Sequence, residues 1–276
     1  MTTLRFLSHP ISLAKPFLAS TLTPSCNFLF RQNTSQCSSP FFWRCQKYSD
    51  GSTSSSSSSS SINVFTDTVP NFSGVDDVLK GYLFGQKKAT EVAHLVWELV
   101  VQKGDTVVDA TCGNGNDTLA LSKLVIDDLA EGCIYALDVQ EDAIKNTSSL
   151  LDLSLDPNQR KSVKIFQICH SRMEEVLPKN RSVRLVAFNL GYLPGGDKRI
   201  ITSSASTLLA LEAAKDLLLP GGLISVVAYV GHPGGREEYE IVRAFASGLP
   251  VERWVCSHIQ MLNKPLAPAL IFLFKR

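Results

Sequence analysis

From Asp76 to its end, the 276-residue sequence alternates apolar runs of strand length with helical patterns. This alternation is typical of a parallel sheet covered by helices on both faces. We therefore predict an α/β fold with a seven-stranded, mostly parallel sheet. The predicted strands are Thr106–Ala110, Cys133–Asp138, Val163–Ile168, Val183–Asn189, Gly222–Val230, Val251–Ser257 and Ala269–Phe274.

Helices are predicted before the first strand and between later ones. The tripeptide at 220–222, Pro-Gly-Gly, predicts a sharp end for one of them. About 200 residues of core without a visible repeat indicate a single domain. The predicted helices are Ala89–Val101, Asp117–Ile126, Glu141–Leu151, Ser203–Leu219 and Arg236–Ala246.

The first predicted strand leads into a short loop that contains Gly113 and Gly115. Glycine at this turn lets the backbone approach a ligand closely. Asn116 or Asp117 is expected to cap the next helix, whose N-terminus would face that ligand. A dinucleotide-binding loop has a third glycine three residues further on, where this chain has Thr118. The loop therefore favours a ligand other than a dinucleotide.

Acidic residues stand at the ends of the first two predicted strands, Asp109 and Asp138. An acid at the second position can reach a ribose diol, and an acid at the first suits a cationic ligand better than a pyrophosphate. Loop and acids together resemble the class I S-adenosyl-L-methionine (SAM)-dependent methyltransferases, which have a Rossmann-like sheet. A nicotinamide or flavin enzyme and a nucleotide-binding protein without activity are the alternatives.

That resemblance implies a SAM site at the carboxyl ends of the first three strands. His170 follows the third strand, where residues flank the adenine, although it could equally stabilise its own loop. The residues predicted to contact the cofactor are Asp109, Thr111, Gly113, Asn114, Gly115, Asn116, Asp117, Asp138, Gln140 and His170.

A polar, glycine-rich loop follows the fourth predicted strand and begins at Asn189. Asn189-Leu190-Gly191-Tyr192 has the register of the Asn-Pro-Pro-Tyr motif of amino-methylating enzymes. In that motif the amide oxygen and the following carbonyl accept hydrogen bonds from the target amine, and the aromatic ring stacks on the base. This comparison implies catalytic roles for Asn189 and Tyr192, although Tyr192 could also be ordinary packing.

An alkyl amine is largely protonated at neutral pH, since its reference pKa is about 10.4. A base must therefore remove a proton before the amine can attack. Asp197 and His232 are the predicted candidates for that base, and His232 could instead stabilise its loop. Lys198 and Arg199 are better suited by charge to bind phosphate.

Four segments together resemble the YtqB-like family of rRNA methylases: 109–118, 189–198, 231–238 and 263–268. The resemblance covers the chain from about residue 80 to its end, and the loop at 189–198 is its most specific part. It implies methylation of the 5-aminomethyl group of wobble (2-thio)uridine in tRNA, with the anticodon stem-loop as partner. An rRNA or small-amine N-methyltransferase is the alternative. Many members have His-Asp-Ser-His where this chain has Gln167-Ile-Cys-His170.

Residues 1–61 contain 17 Ser, 6 Thr and five basic residues, but only one acid, Asp50. This composition predicts an organellar transit peptide with a Ser-rich disordered segment. The scarcity of Arg favours the chloroplast, and the mitochondrion is the alternative. A linker is predicted at 62–79 and the methyltransferase domain at 80–276.

Without its first 61 residues the chain has 22 basic and 25 acidic residues, so nucleic acid would have to bind to a local basic patch. We expect no membrane span and no metal site, because there is neither an 18-residue apolar run nor a Cys-x-x-Cys pair. A homodimer is left open.

Overall fold

The computed structural model describes residues 73–127, 132–177 and 183–276. The predicted transit peptide and residues 62–72 of the predicted linker lie outside these ranges. The first helix begins at Ser73 and therefore overlaps the end of that linker. All described residues belong to one compact unit. None of the helices in these ranges is long and apolar enough to cross a membrane.

One seven-stranded sheet forms the centre of the unit, with the order β3-β2-β1-β4-β5-β7-β6. β1 to β5 pair in parallel, whereas β7 is antiparallel to both of its neighbours. The predicted Rossmann-like, mostly parallel sheet is therefore confirmed. The strands are β1 Thr106–Asp109, β2 Cys133–Asp138, β3 Val163–Gln167, β4 Val183–Leu190, β5 Leu218–Ala228, β6 Trp254–Ile259 and β7 Ala269–Lys275.

Helices cover both faces of the sheet, because alternate side chains of each strand point to opposite sides. Val107 packs with Trp97 and Leu121 in one apolar cluster, and Val108 packs with Leu211 and Val242 in the other. The helices are α1 Ser73–Leu83, α2 Ala89–Val100, α3 Asn116–Val125, α4 Glu141–Ser154, α5 Pro157–Lys161, α6 Ser204–Leu217 and α7 Gly235–Ser247, with a 3-10 helix at His170–Glu175.

The sequence predicts that the Pro-Gly-Gly segment ends α6. In the structure this segment lies within β5 instead. α6 ends at Leu217 and β5 begins at the next residue, Leu218. Leu218 pairs with Val183 and Leu223 pairs with Leu185, so residues 219–222 bulge opposite a single residue. Pro220 has no backbone N–H to give to a ladder, which explains the irregular pairing at this point.

β6 begins at Trp254, three residues later than predicted. Residues 250–254 form a turn in which the backbone N–H of Trp254 donates to the carbonyl of Pro250 over 3.0 Å. The β-branched Val251 in this segment suggests a strand, but the turn uses the backbone groups that a strand would need for pairing.

Candidate active site

A cavity of about 710 Å³ opens at the carboxyl ends of β1, β2 and β4, the usual position of ligands in an open α/β sheet. Its volume is within the range of small-molecule and cofactor sites. The predicted site residues that line it are Thr111, Gly113, Asn114, Asn116, Asp117, Asp138, Gln140, His170, Asn189 and Tyr192. Asp109, Gly115, Asp197 and His232 are not among the lining residues.

Asp109 ends β1 beneath the cavity lining and is 1% exposed. Its carboxylate accepts hydrogen bonds from the Thr118 hydroxyl at 2.6 Å and from the Thr111 backbone N–H at 3.2 Å. Burial, and then the neighbouring Asp117, raise the pKa of Asp109 to about 7. Thr118, which stands where a dinucleotide-binding loop has its third glycine, thus stabilises this buried acid.

The two loop glycines both have left-handed backbone conformations, with φ of 51° at Gly113 and 84° at Gly115. A Cβ on Gly115 would lie 2.9 Å from the Cα of Thr147 on α4, so this glycine serves the close approach of the loop to that helix. The Thr147 hydroxyl also donates to the Gly113 carbonyl at 3.0 Å. Gly115 itself is the N-cap of α3, and no side chain caps this helix, so the prediction that Asn116 or Asp117 caps it is wrong.

Asp138 joins the glycine loop to the end of β2. Its two oxygens accept from the Gly113 N–H at 3.1 Å and from the Gln140 N–H at 2.9 Å. Burial raises the pKa of Asp138, although the hydrogen bonds from these two amides act in the opposite direction. Within the described ranges, neither Asp109 nor Asp138 forms an ion pair with a Lys or Arg. The cavity floor is therefore negative and suits a cationic ligand.

Asn189 has its amide group held in one orientation by Asp117. The Asn189 Nδ2 donates to Asp117 Oδ2 at 3.0 Å, and the other oxygen of Asp117 lies 2.6 Å from His94 Nε2. Since a carboxylate only accepts, the NH2 side of the amide must face Asp117. The amide oxygen of Asn189 then has no hydrogen-bond donor among the described residues and is available in the cavity.

The backbone around Asn189 is held from two sides. The Asn189 N–H donates to the Thr111 hydroxyl at 2.7 Å, which links β4 to the loop after β1. The Leu190 carbonyl accepts from the Tyr229 N–H at 3.2 Å. The carbonyl expected to grip an amine is therefore already engaged by the neighbouring strand, and the side-chain oxygen of Asn189 is the freer acceptor.

The loop after β4, residues 191–202, folds back on itself and is anchored to α7. Gly191 and Thr202 are joined by two hydrogen bonds of 2.9 Å each, one to the Thr202 hydroxyl and one between backbones. The Thr202 hydroxyl donates to Glu238 at 2.6 Å, and the Thr207 hydroxyl donates to the other oxygen of Glu238 at 2.5 Å. Glu238 is 2% exposed, so a buried carboxylate fixes the end of this loop.

A second contact joins this loop to the glycine loop. The Asn114 side chain donates to the Pro194 carbonyl at 3.1 Å and accepts from the Asn146 amide of α4 at 2.9 Å. Asn114 thus bridges the predicted cofactor half of the site and the predicted acceptor half.

The two predicted bases lie outside the cavity lining. Asp197 forms a bidentate ion pair with Arg199, which lowers the pKa of Asp197. The His232 ring lies edge-on to Tyr192, with centroids 5.9 Å apart, and its Nδ1 is 3.0 Å from the Pro233 carbonyl. Its Nε2 is buried without a hydrogen-bond partner. Lys198 lies over the Tyr192 ring at 5.8 Å, so it contacts the aromatic face rather than a carboxylate.

His170 lines the cavity but is itself buried. Its Nε2 lies 3.3 Å from the Ser206 hydroxyl, and its ring packs edge-on against Phe188. Burial lowers the pKa of His170 to about 4, so the ring is neutral at physiological pH. A neutral ring suits a hydrogen bond to a ligand better than proton transfer. No group of three His, Cys, Asp or Glu side chains in the described part of the chain is arranged to hold a metal ion.

A family model described as Putative rRNA methylase matches residues 134–275 of the chain. The chain belongs to this family. The chloroplastic tRNA (mnm(5)s(2)U34)-methyltransferase of Arabidopsis thaliana is 64% identical to this chain over 206 residues. These residues cover 74% of this chain and 75% of that relative.

Two solved structures of similar proteins cover 69% of this chain each. One is a putative rRNA-methylase from Clostridium thermocellum, 38% identical, with a TM-score of 0.63 over 98% of its own chain. The other is a putative methyltransferase from Streptococcus mutans in complex with S-adenosylhomocysteine (SAH), 31% identical, with a TM-score of 0.60 over 99% of its chain. These similarities support the methyltransferase form of the Rossmann-like fold for this member of the rRNA methylase family.

Sequence reasoning missed three site residues of this family member: His94, Glu238 and Tyr229. His94 lies 23 positions before its partner Asp117. Glu238 is one of two adjacent acids, Glu237 and Glu238, and nothing in the sequence tells the buried one from the exposed one. The available signals are an acid one turn into an amphipathic helix and the run of Ser and Thr at 202–207, and neither indicates that the two meet.

Proposed function

We propose that this chain is a SAM-dependent tRNA methyltransferase that methylates the 5-aminomethyl group of wobble (2-thio)uridine in the chloroplast. The observation that carries the proposal is the fixed amide of Asn189, whose oxygen is free to accept a hydrogen bond from an amine. The relative with 64% identity bears the name of this tRNA activity and of this compartment. The predicted transit peptide agrees with that location.

The cofactor side of the cavity fits SAM by its chemistry. SAM carries a positively charged sulfonium, which supplies the methyl group, and the cavity is lined by Asp117 and Asp138, neither of which has a Lys or Arg partner in the described ranges. Asp138 would bind the ribose hydroxyls, and the backbone of Gly113 would lie beside the amino-acid part of the cofactor. His170 and Gln140 would flank the adenine. Asp109 would hold the loop after β1 and the first turn of α3 from beneath the lining, through its hydrogen bonds with Thr111 and Thr118.

On the acceptor side, Asn189 would hold the amine so that its lone pair points toward the methyl group. Methyl transfer depends on alignment, which contributes roughly 7 to 11 kcal/mol in favourable intramolecular systems. Tyr192, at the rim of the cavity and 41% exposed, would stack on the wobble base.

The anticodon stem-loop would bind across the rim of the cavity. Lys88 lines the cavity at the start of α2, and Lys198 lies on the other side over Tyr192. Lys264, between β6 and β7, reaches the connection between α1 and α2, because its Nζ would lie 2.9 Å from a Cβ on Gly85. Phe84 in that connection is 78% exposed. Exposed aromatic rings between lysines suit unpaired bases with their phosphates.

The test uses purified protein, SAM and tRNA that carries 5-aminomethyl-2-thiouridine at the wobble position. We expect the methylaminomethyl nucleoside by mass spectrometry, and none from Asn189→Ala. Asn158→Ala on α5, which precedes the amino end of β3 and does not line the cavity, should behave as wild type. Methylation of an rRNA fragment or of a free amine instead would support the alternative activity.

The same question can be asked in cells. Chloroplast tRNA from plants that lack the protein should accumulate the aminomethyl nucleoside and lose its methylated form. An unchanged nucleoside profile would contradict the proposal. Light scattering on the purified protein would show whether it is the homodimer that the sequence leaves open.

A further inference from the structure

His94, Asp117 and Asn189 form a continuous chain of hydrogen bonds along one wall of the cavity. The three residues come from α2, α3 and β4 and all line the cavity. The side chain of Asp117 is 13% exposed and that of His94 is 30% exposed, so the chain leads from the wall toward solvent.

We propose that Asp117 accepts the proton that the substrate ammonium must lose, and that His94 positions Asp117 by donating its Nε2–H to this carboxylate. The inference rests on the proposed function, because it concerns an amine held by Asn189. An amine bonded to the amide oxygen of Asn189 would lie beside the carboxylate that holds the nitrogen of the same amide, which brings acceptor and proton together.

The proton must leave because a protonated nitrogen has no lone pair for attack. In the proposed step the N–H bond of the ammonium breaks, its electron pair stays on nitrogen, and the proton goes to Asp117. From Asp117 it leaves to solvent through the open cavity, because His94 Nε2 already carries the proton that it donates to this carboxylate. The amine nitrogen then bonds to the methyl carbon as the carbon–sulfur bond breaks and its electron pair stays with sulfur. The product is a methylated ammonium, and one proton has been released.

The surroundings of Asp117 favour it over the two bases predicted from sequence. Asp197 is bound by Arg199, and both Asp197 and His232 lie outside the cavity lining. The titratable groups that face Asp117 are His94 from α2, Asp109 from β1 and Tyr229 beyond β5, and Asp117 helps to raise the pKa values of the latter two. The negative charge in this group of residues attracts both an ammonium and a proton.

The test compares single-turnover methylation by wild type, Asp117→Asn and His94→Gln between about pH 6.5 and about pH 9. At neutral pH we expect Asp117→Asn to lose about 100-fold or more, the usual contribution of a positioned base. The deficit should shrink by up to about tenfold per pH unit as the free amine becomes available, since its reference pKa is about 10.4. His94→Gln should show a smaller loss of the same form, and added imidazole should restore activity to His94→Ala.

Circular dichroism and thermal unfolding should be the same for all variants and would show that they are folded. His258→Gln provides a matched control, because His258 lies on β6 away from the cavity and contacts Tyr239. The inference would be overturned if the rate of each variant differed from that of wild type by the same factor at every pH and imidazole restored no activity. That result would leave the proposed function intact. A wild-type protein with no turnover on this tRNA would instead overturn the proposed function and the inference with it.

Discussion

Among single residues, Asp109 is an almost fully buried acid whose pKa is raised. Its folded-state pKa of about 7 lies above its usual value of 3.8, mainly because burial disfavours the charged form. The folded state therefore holds a proton that the unfolded chain releases. The stability from this proton is fully present below the unfolded pKa and is lost as pH rises through about 7.

This predicts a pH-dependent difference between wild type and Asp109→Asn, whose side chain stays neutral. The free energy of unfolding of wild type, relative to the variant, should fall as the pH rises from about 4 to about 7. Urea unfolding at several pH values would measure this difference. A constant difference over the range would mean that Asp109 ionises in the folded protein as easily as in a peptide.

At the scale of elements, the glycine loop and α4 fit together without room for a side chain. Gly115→Ala combines a left-handed φ of 84° with a Cβ placed 2.9 Å from the Thr147 backbone. We expect a loss of about 2–4 kcal/mol in the free energy of unfolding, from conformational strain plus the displaced helix. Gly104→Ala is the matched control, because Gly104 has the same φ of 84° and no atom of the described residues lies within 4 Å of its Cβ. Equal losses in the two variants would show that the contact with α4 is unimportant.

The anchor between the loop at 191–202 and α7 gives a second prediction at this scale. Glu238→Gln replaces one of two buried acceptors by an NH2 group that cannot accept from Thr202 or Thr207. We expect a loss of about 1–3 kcal/mol in stability and a higher KM for tRNA, with a smaller effect on SAH affinity. Glu237→Gln next to it is the control, since the contact of Glu237 within the described residues is an exposed one with Ser204. A loss of SAH affinity larger than that of tRNA affinity would contradict a role of Glu238 in the acceptor loop.

For the whole molecule, the near-neutral charge of the domain implies that RNA binding depends on few phosphate contacts. Each contact contributes about −0.7 to −0.9 to the slope of log K against log salt. Lys198→Ala should therefore weaken tRNA binding and make this slope shallower by about one contact. Filter binding at several salt concentrations would measure it. Lys161→Ala on α5 should leave the slope unchanged, because Lys161 lies near the amino end of β3, away from the cavity.

Prediction from sequence succeeded for the elements whose burial is visible in the local pattern of apolar residues. Apolar runs predict seven strands of a mostly parallel sheet, and the acids that end β1 and β2 lie beneath the cavity and in its lining, as their positions at strand ends indicate. The short helix α5 and the 3-10 helix were missed because one or two turns carry no clear apolar periodicity. The bulge in β5 was missed because Pro220 and the glycines after it are usual at helix ends.

The site beyond its two motifs depends on contacts between distant segments. Asp117 looks like a helix cap in sequence, and only the packing of α2 against α3 shows that it joins His94 to Asn189. Asp197 is of a residue type that can act as a base, but it forms an ion pair with the nearby Arg199. Residue type and strand position therefore located the site, whereas the roles of individual side chains needed the tertiary structure.

The bridge from Asn114 to the Pro194 carbonyl makes the two halves of the site thermodynamically dependent on each other. A ligand that orders the glycine loop would also order the loop that carries Tyr192. The second ligand would then lose less conformational entropy when it binds. By reciprocity, whatever factor the cofactor adds to the affinity for RNA, RNA must add to the affinity for the cofactor. A protein built in this way would retain its methyl donor most firmly while an anticodon is bound.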